Sequence, residues 1–464
     1  MTHDPRRSPT AGRVTRRTFL QASASAALLA GCARAGRSDA AADGQAGGVA
    51  AIDLDAHFPR YRQFDPAVPV WCVTPEAPRS IHRFFDTSPV SPSGRYLAVT
   101  QFPFTDRLPR PGDAARVVVV DLATGAHRRV AETRGWDTQL GAQVQWGPAD
   151  TALYFNDVDT ATWEPFGVRM DPLTGRRRRL EGTVYMLAPD GRHAVSACLR
   201  RIRTVQAGYG VVVPPEHVPA NQGAPDDDGV YVTDTETGKR RLVADLARIV
   251  KTVLPAGAAK AGTYYAFHTK VNPQSTHIML VLRLFPEDSK RARSQLVTMK
   301  VDGSDLHIAI PAEEWADKGG HHPNWCPDGE HVMMNLNLRG RGKGLHLVRA
   351  RYDGTGLEAM TEAVPGSGHP SLHPDGRHVV TDCYLHEPMA FKEDGQVPLR
   401  LIDLASGSET RFVRIRTRPE WKGPKNELRV DPHPAWDPTF RFVAFNACPD
   451  GPRKVYLADL GTLL

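Results

Sequence analysis

One short turn recurs along this chain, each time just ahead of an apolar strand, and it limits the possible folds more than any other feature of the 464 residues. The copies are Ser91-Pro92-Ser93-Gly94, Gly147-Pro148-Ala149-Asp150, Ala188-Pro189-Asp190-Gly191, Asn272-Pro273-Gln274-Ser275, Cys326-Pro327-Asp328-Gly329, His373-Pro374-Asp375-Gly376 and Asp437-Pro438-Thr439-Phe440. Proline pre-sets φ at the first turn position and Asp-Gly supplies a tight reversal, so each copy forces a hairpin corner.

Several copies are followed by a second strand and a second turn, as in Val118-Val119-Val120-Asp121 with Thr124-Gly125 and Leu401-Ile402-Asp403 with Ser406-Gly407. Two hairpins in a repeat of roughly 40–60 residues make one four-stranded propeller blade. The expected fold is therefore all-β: a seven-bladed β-propeller of four-stranded antiparallel blades. The 40 glycines and 38 prolines suit so many corners. The widest spacing lies between the third and fourth turns, and its excess, around 203–228, reads as an inserted surface loop. The chain stops soon after Val455-Tyr456-Leu457, one strand short of a full last blade. Pro69-Val70-Trp71-Cys72-Val73-Thr74 can supply that strand, and pairing the N- and C-terminal strands closes the ring and removes an open sheet edge.

The first residues are addressing rather than fold. Thr15-Arg16-Arg17-Thr18-Phe19-Leu20-Gln21 matches a twin-arginine export signal, and the apolar run ending Leu28-Leu29-Ala30-Gly31-Cys32 resembles a lipobox. The expected division is a twin-arginine lipoprotein signal at 1–32, a flexible tether at 33–50 and the propeller at 51–464. The apolar run is too short to span a bilayer. The expected location is the cell surface or periplasm, with a lipid anchor as the sole membrane contact. Five further cysteines show no zinc or disulfide spacing, and a chain exported after folding keeps them as reduced thiols. The net charge of +6 is compatible with an anionic substrate, but no basic-aromatic cluster suggests nucleic acid. A monomer or weak dimer is expected.

Histidines are concentrated just upstream of the turns: His82-Arg83, His268, His321-His322, His369 and His433. A lone loop histidine is ordinarily structural. Five of seven blades carrying one at similar positions is different, because equivalent positions around a ring face a common axis. Clustered imidazoles with a carboxylate are a metal or acid/base site. On the repeat alone, a non-catalytic TolB-like propeller that binds a protein partner or glycan is the competing reading, since fold does not fix function.

From residue 68 to 460 the chain resembles the oligogalacturonate lyases, seven-bladed enzymes of pectin breakdown. The resemblance rests on Asp431-Pro432-His433-Pro434-Ala435-Trp436, on Val443-Ala444-Phe445 and Val455-Tyr456-Leu457-Ala458-Asp459, and on Val73-Thr74-Pro75 followed by His82-Arg83. It implies a divalent cation, manganese first, held in that family by three His and one Gln. Here the positions fall on His369, Asp431 and His433. Leu428 stands where the Gln would be, so water or a neighbour such as Glu427 would complete the site. The resemblance also implies His322 as catalytic base and Arg293 as its charge-stabilising partner, with Arg283 as the alternative. His82, Arg83, His268, Arg283 and His321 are then expected to bind substrate. The implied reaction is metal-assisted β-elimination on a uronic-acid-containing oligosaccharide, giving a 4,5-unsaturated product. The departures at Leu428 and Asp431, and the export signal, point to a uronate glycan other than oligogalacturonate.

Overall fold

Each recurring turn is built from its own side chains. Asp328 Oδ1 accepts the backbone N–H groups of Glu330 and His331, both at 2.9 Å. Asp375 Oδ1 does the same for Arg377 and His378, at 2.8 and 3.0 Å. The aspartate satisfies the donors that the reversal leaves free. Gly191, Gly329 and Gly376 take φ near +70°, which a side chain resists. Neighbouring turns touch around the rim. A Cβ on Gly329 would lie 1.5 Å from the Gln274 amide of the preceding turn, so the two turns are in contact, while the positive φ is what demands glycine.

The computed structural model describes residues 48–464, except 289–290, 316–318, 339 and 342–343. The export signal at 1–32 and residues 33–47 of the tether lie outside the described residues. Gly48–Ala50, assigned to the tether from sequence, belong to the folded unit. Val49 is fully buried in a cluster with Val90, Leu97 and Phe442, so apolar burial carries the folded region slightly further upstream than composition indicated.

Seven four-stranded antiparallel sheets form the seven blades. Their innermost strands are Ser80–Ile81, Gln145–Trp146, Met186–Leu187, Gly262–Val271, Gly320–Trp325, Ser371–Leu372 and Ala435–Trp436. The ring closes as expected: Val70–Cys72 forms the outer strand of the last blade, with Val70 opposite Ala458, Trp71 opposite Leu457 and Cys72 opposite Tyr456. Apolar side chains between adjacent sheets supply the core, the largest cluster running through blades three to five. Inner-strand tryptophans tie blade to blade. Trp146 Nε1 donates to Pro89 O at 2.9 Å, Trp325 Nε1 to Lys270 O at 3.2 Å and Trp436 Nε1 to Ser371 O at 3.3 Å.

A second device, on the second strand of several blades, fixes the segment that leads into the next blade. Asn156 holds Val184 through both N–H and C=O, each at 2.8 Å. Asn335 Nδ2 donates to Gly368 O at 2.8 Å, and Asn446 Oδ1 accepts the N–H of His82 at 3.1 Å. A primary amide offers the same donor and acceptor as a backbone, so one buried asparagine replaces a missing ladder pair. Two of these asparagines hold the segments that carry His369 and His82. The insertion in blade three lies between strands His193–Ser196 and Gly229–Asp234 and includes the helix α1, Leu199–Val205.

Candidate metal centre and adjoining cleft

The histidines lie in or next to the innermost strands, His268, His321 and His322 within them, and their backbone is unusual. His268, His322 and His433 all have positive φ, at 51°, 58° and 51°. Left-handed backbone is rare in bulky residues and concentrates at functional sites. At His268 and His322 the strand register also slips, so a bulge turns the imidazole out of the ladder.

His369, Asp431 and His433 come together: one ligand atom from each lies within 4.8 Å of the others, and all three residues are buried. His369 is held from behind. Its Nδ1 lies 2.9 and 3.0 Å from the two oxygens of Asp382, whose Oδ1 also accepts the His369 N–H at 2.6 Å. That carboxylate fixes Nδ1 as the protonated nitrogen and leaves Nε2 as a lone-pair donor, the usual arrangement behind a metal-ligating histidine. Gly368 makes the approach possible, since a Cβ there would sit 2.1 Å from Asp382 Oδ1. Among the described residues, His369 Nε2, both ring nitrogens of His433 and both of His82 are buried without a hydrogen-bond partner. Buried polar atoms are normally satisfied. Several orphaned imidazole nitrogens beside a carboxylate are what a cation site presents in the absence of its cation, so the donor set fits a divalent ion that accepts nitrogen and oxygen ligands.

Electrostatics keeps the imidazoles ready to coordinate. Burial, reinforced by His369 and His82, pushes His433 well below the ordinary histidine range. Burial likewise brings His82 down to about 3. A neutral imidazole is the form that ligates. Asp431 is paired with Arg429, whose Nε donates to Oδ2 at 2.7 Å.

His322 stacks on His369 with ring centroids 3.7 Å apart. Its Nδ1 donates to Gly368 O at 2.6 Å, so Nε2 carries the lone pair, and the Tyr384 hydroxyl lies 3.2 Å from that atom. Burial, with His369 and His321 nearby, pushes His322 well below the usual range. His321 and His322 both face a cleft of about 190 Å³ that also touches His268, Arg283, Tyr384 and Arg429. The insertion supplies one wall through Gln206 and Tyr209.

The remaining expected residues divide. His268 reaches the cleft, its Nδ1 bonded to the Tyr185 hydroxyl. His82 packs against His433, ring centroids 6.4 Å apart, on the cation side rather than in the cleft lining. Arg83 does not reach the cleft. It is buried and consumed internally, with Nε donating to Gln143 Oε1 at 3.0 Å and Tyr185 O at 2.9 Å and Nη1 paired with Asp86. Arg293 is likewise outside the cleft lining. It stands exposed opposite Leu284, whereas Arg283, opposite Ser294, faces the cleft, because adjacent strand positions point to opposite sides. Leu428 belongs to an apolar cluster with Phe102 and Trp136.

Sequence reasoning missed several groups here. Asp382 and Tyr384 lie just past strand His378–Thr381 and carry no turn signal. Phe84 and Phe85 project among the histidines, Phe84 at 4.7 Å from His433 and Phe85 at 5.4 Å from His369 between ring centroids. Beneath them Asp86 is bound by Arg83 and by Lys270, whose Nζ lies 2.7 Å away. Two adjacent aromatics followed by an aspartate, directly after His82-Arg83, were the available signal.

No family model matches the chain, and no curated protein matches its sequence. Solved structures do match its fold. An oligogalacturonate lyase in complex with manganese superposes with a TM-score of 0.60 at 16% identity, covering 87% of this chain and 96% of that one. An oligogalacturonate lyase from Vibrio parahaemolyticus gives 0.60 at 15% identity, covering 87% and 97%. The chain shares the seven-bladed fold of these enzymes over nearly their whole length.

Proposed function

We propose that this protein is a lyase that cleaves uronic-acid-containing oligosaccharides by metal-assisted β-elimination, with His369, Asp431 and His433 holding a divalent cation, manganese first. One observation carries the reading: orphaned, buried imidazole nitrogens beside a carboxylate, stacked directly against a second histidine that lines a cleft with its Nε2 next to the Tyr384 hydroxyl. The fold shared with oligogalacturonate lyases, one of them a manganese complex, supports it.

A divalent cation bound there supplies positive charge against the sugar carboxylate and so acidifies the adjacent C5–H. The protein's own groups do the rest. His322 Nε2 takes the C5 proton as the C4–O bond breaks and the C4=C5 double bond forms. The Tyr384 hydroxyl is placed to give a proton to the departing oxygen and to recover one from His322 through their 3.2 Å contact. Net, one proton passes from C5 to the leaving sugar. Phe84 and Phe85 keep water from the imidazoles, which strengthens each charge interaction. Burial keeps His322 neutral and so able to accept a proton, and an anionic sugar beside it favours the imidazolium that forms.

The test is incubation with a panel of polyuronates, read as ultraviolet absorbance of the unsaturated product. Activity is expected in the wild type and lost in His322→Ala. Absence of product across the panel overturns the lyase reading and favours a non-catalytic binding propeller. We propose further that the chain is exported by the twin-arginine route and anchored through Cys32, which Cys32→Ala would release from the membrane fraction.

A further inference from the structure

Two arginines line the cleft, Arg283 and Arg429. Arg283 faces the cleft, but its Nη1 is already committed twice, at 2.9 Å to Val205 O and 2.9 Å to Gln206 Oε1. Both acceptors close the end of α1, and the guanidinium lies flat on Phe267, 4.2 Å from the ring centre. Arg283 Nη1 therefore braces the inserted wall, while its Nε has no hydrogen-bond partner; what sets Arg429 apart is its link to the candidate cation ligand Asp431.

Arg429 is differently placed. It follows Leu428, which is buried in the core, and itself lines the cleft, while Asp431 two residues on stands among the candidate cation ligands. Its Nε–H is spent on Asp431 at 2.7 Å and one Nη1–H on Asn426 O at 3.2 Å, while Nη2 stands 3.5 Å from the Tyr209 hydroxyl, beyond a good hydrogen bond. A guanidinium carries five N–H donors in a planar fork, so donors remain on the Nη side for an incoming carboxylate. A guanidinium is charged at every working pH.

We infer that Arg429 is the specificity-determining residue of the cleft: it bridges the cation ligand Asp431 and the carboxylate of a uronate, and so selects acidic over neutral sugars. This rests on the proposed lyase reading for the identity of the sugar, but binding and turnover can be separated. D-galacturonate and D-glucuronate carry the carboxylate without a glycosidic leaving group. Calorimetric titration of the manganese-loaded full chain with each, and with galactose and glucose, is the experiment. The wild type is expected to bind a uronate and not its neutral counterpart. Arg429→Gln is expected to weaken uronate binding by about tenfold or more, as loss of a charge-assisted contact does, with metal content unchanged. Arg429→Lys, which keeps the charge without the fork, is expected to fall between the two. Three results would overturn the inference: uronate binding by Arg429→Gln equal to wild type, equal binding of acidic and neutral sugars by the wild type, or loss of metal from Arg429→Gln, which would make Arg429 a support for Asp431 alone. Uronate binding that depends on Arg429 without unsaturated product from any polyuronate would sink the lyase reading and leave the carboxylate seat standing.

Discussion

Replacing Asp382 with asparagine tests the candidate metal centre without touching a ligand. In the wild type both carboxylate oxygens face His369 Nδ1, at 2.9 and 3.0 Å, and Oδ1 also takes the His369 N–H at 2.6 Å. An amide keeps one acceptor and replaces the other with an N–H₂ group. Either the N–H₂ group then faces Nδ1–H or, with the amide turned over, the backbone donor loses its partner, and in both cases the negative charge that makes Nε2 a better donor is gone. Removing such an outer partner costs about 10–100-fold in metal affinity, equivalent to about 1.4–2.8 kcal/mol of binding free energy. Because the cation binds the folded chain, the same loss appears in stability. At a metal concentration about 100-fold above the wild-type dissociation constant, metal stabilises by about 2.7 kcal/mol, and a tenfold loss of affinity roughly halves that. The assay is paired: manganese bound per chain after equilibrium dialysis, and unfolding with and without metal. Asp382→Asn is expected to shift both, with the metal-free stabilities much closer together than the metal-loaded ones. Equal manganese affinity in variant and wild type would refute the reasoning that Asp382 prepares a ligand, and a wild type that takes up no metal would remove the centre.

His369→Ala and His433→Ala should each abolish stoichiometric metal, read by elemental analysis of the purified chain. Tyr384→Phe removes the hydroxyl 3.2 Å from His322 Nε2 and should lower the elimination rate by about 10²–10⁴ with uronate binding little changed, measured as product absorbance against titration. Asp86→Ala strands Arg83 and Lys270 in a fully buried channel and should cost about 3–5 kcal/mol in denaturant unfolding. The pH dependence of that cost has a defined sign. Burial alone would raise the Asp86 carboxyl, but Arg83 and Lys270 hold it below its ordinary 3.8, so its stabilising contribution is fully present above that value and is lost as acid carries the pH down through the folded-state pKa. The gap in stability between wild type and Asp86→Asn should therefore narrow below about pH 4.

What could be read in the sequence is what repeats. Turns such as Cys326-Pro327-Asp328-Gly329 act locally, through an aspartate and a glycine within four residues, so they announce seven corners and hence seven blades. His369 and His433 were legible for the same reason: each sits a fixed short distance upstream of a corner. Arg293 and Arg283 show where this stops. Which of them faces the cleft is a matter of register parity between two paired strands, and the turn repeat does not fix parity. Arg83 was misplaced because its partners, Gln143, Tyr185 and Asp86, come from three separate segments. Asp382 and Tyr384 lie beyond a strand end, outside any period. The amide tethers Asn156, Asn335 and Asn446 do repeat, each directly after an apolar residue on a second strand, and they were a readable signal for which lead-in segments are pinned.

The charges buried around the ring axis favour an acidic ligand even before any sugar is considered. Arg83 and Lys270 share the single carboxylate of Asp86, which leaves that triad positive. Asp431 is balanced by Arg429, and Arg453 is buried nearby with its donors on the carbonyls of Thr138, Leu428 and Arg429 rather than on a carboxylate. Asp382 is a further anion, held against His369. The candidate ligands His369, His433 and Asp431 contribute two imidazoles and one carboxylate, and that carboxylate is already paired with Arg429, so a divalent cation would add net positive charge to the interior. Buried charge of one sign is costly until an opposite charge arrives in hydrogen-bonding contact. A neutral sugar brings none, whereas a uronate brings one carboxylate on the carbon next to the proton to be removed. The same excess that would bind the acid would therefore stabilise the charge that develops when His322 takes that proton, which joins affinity and rate in one electrostatic cause.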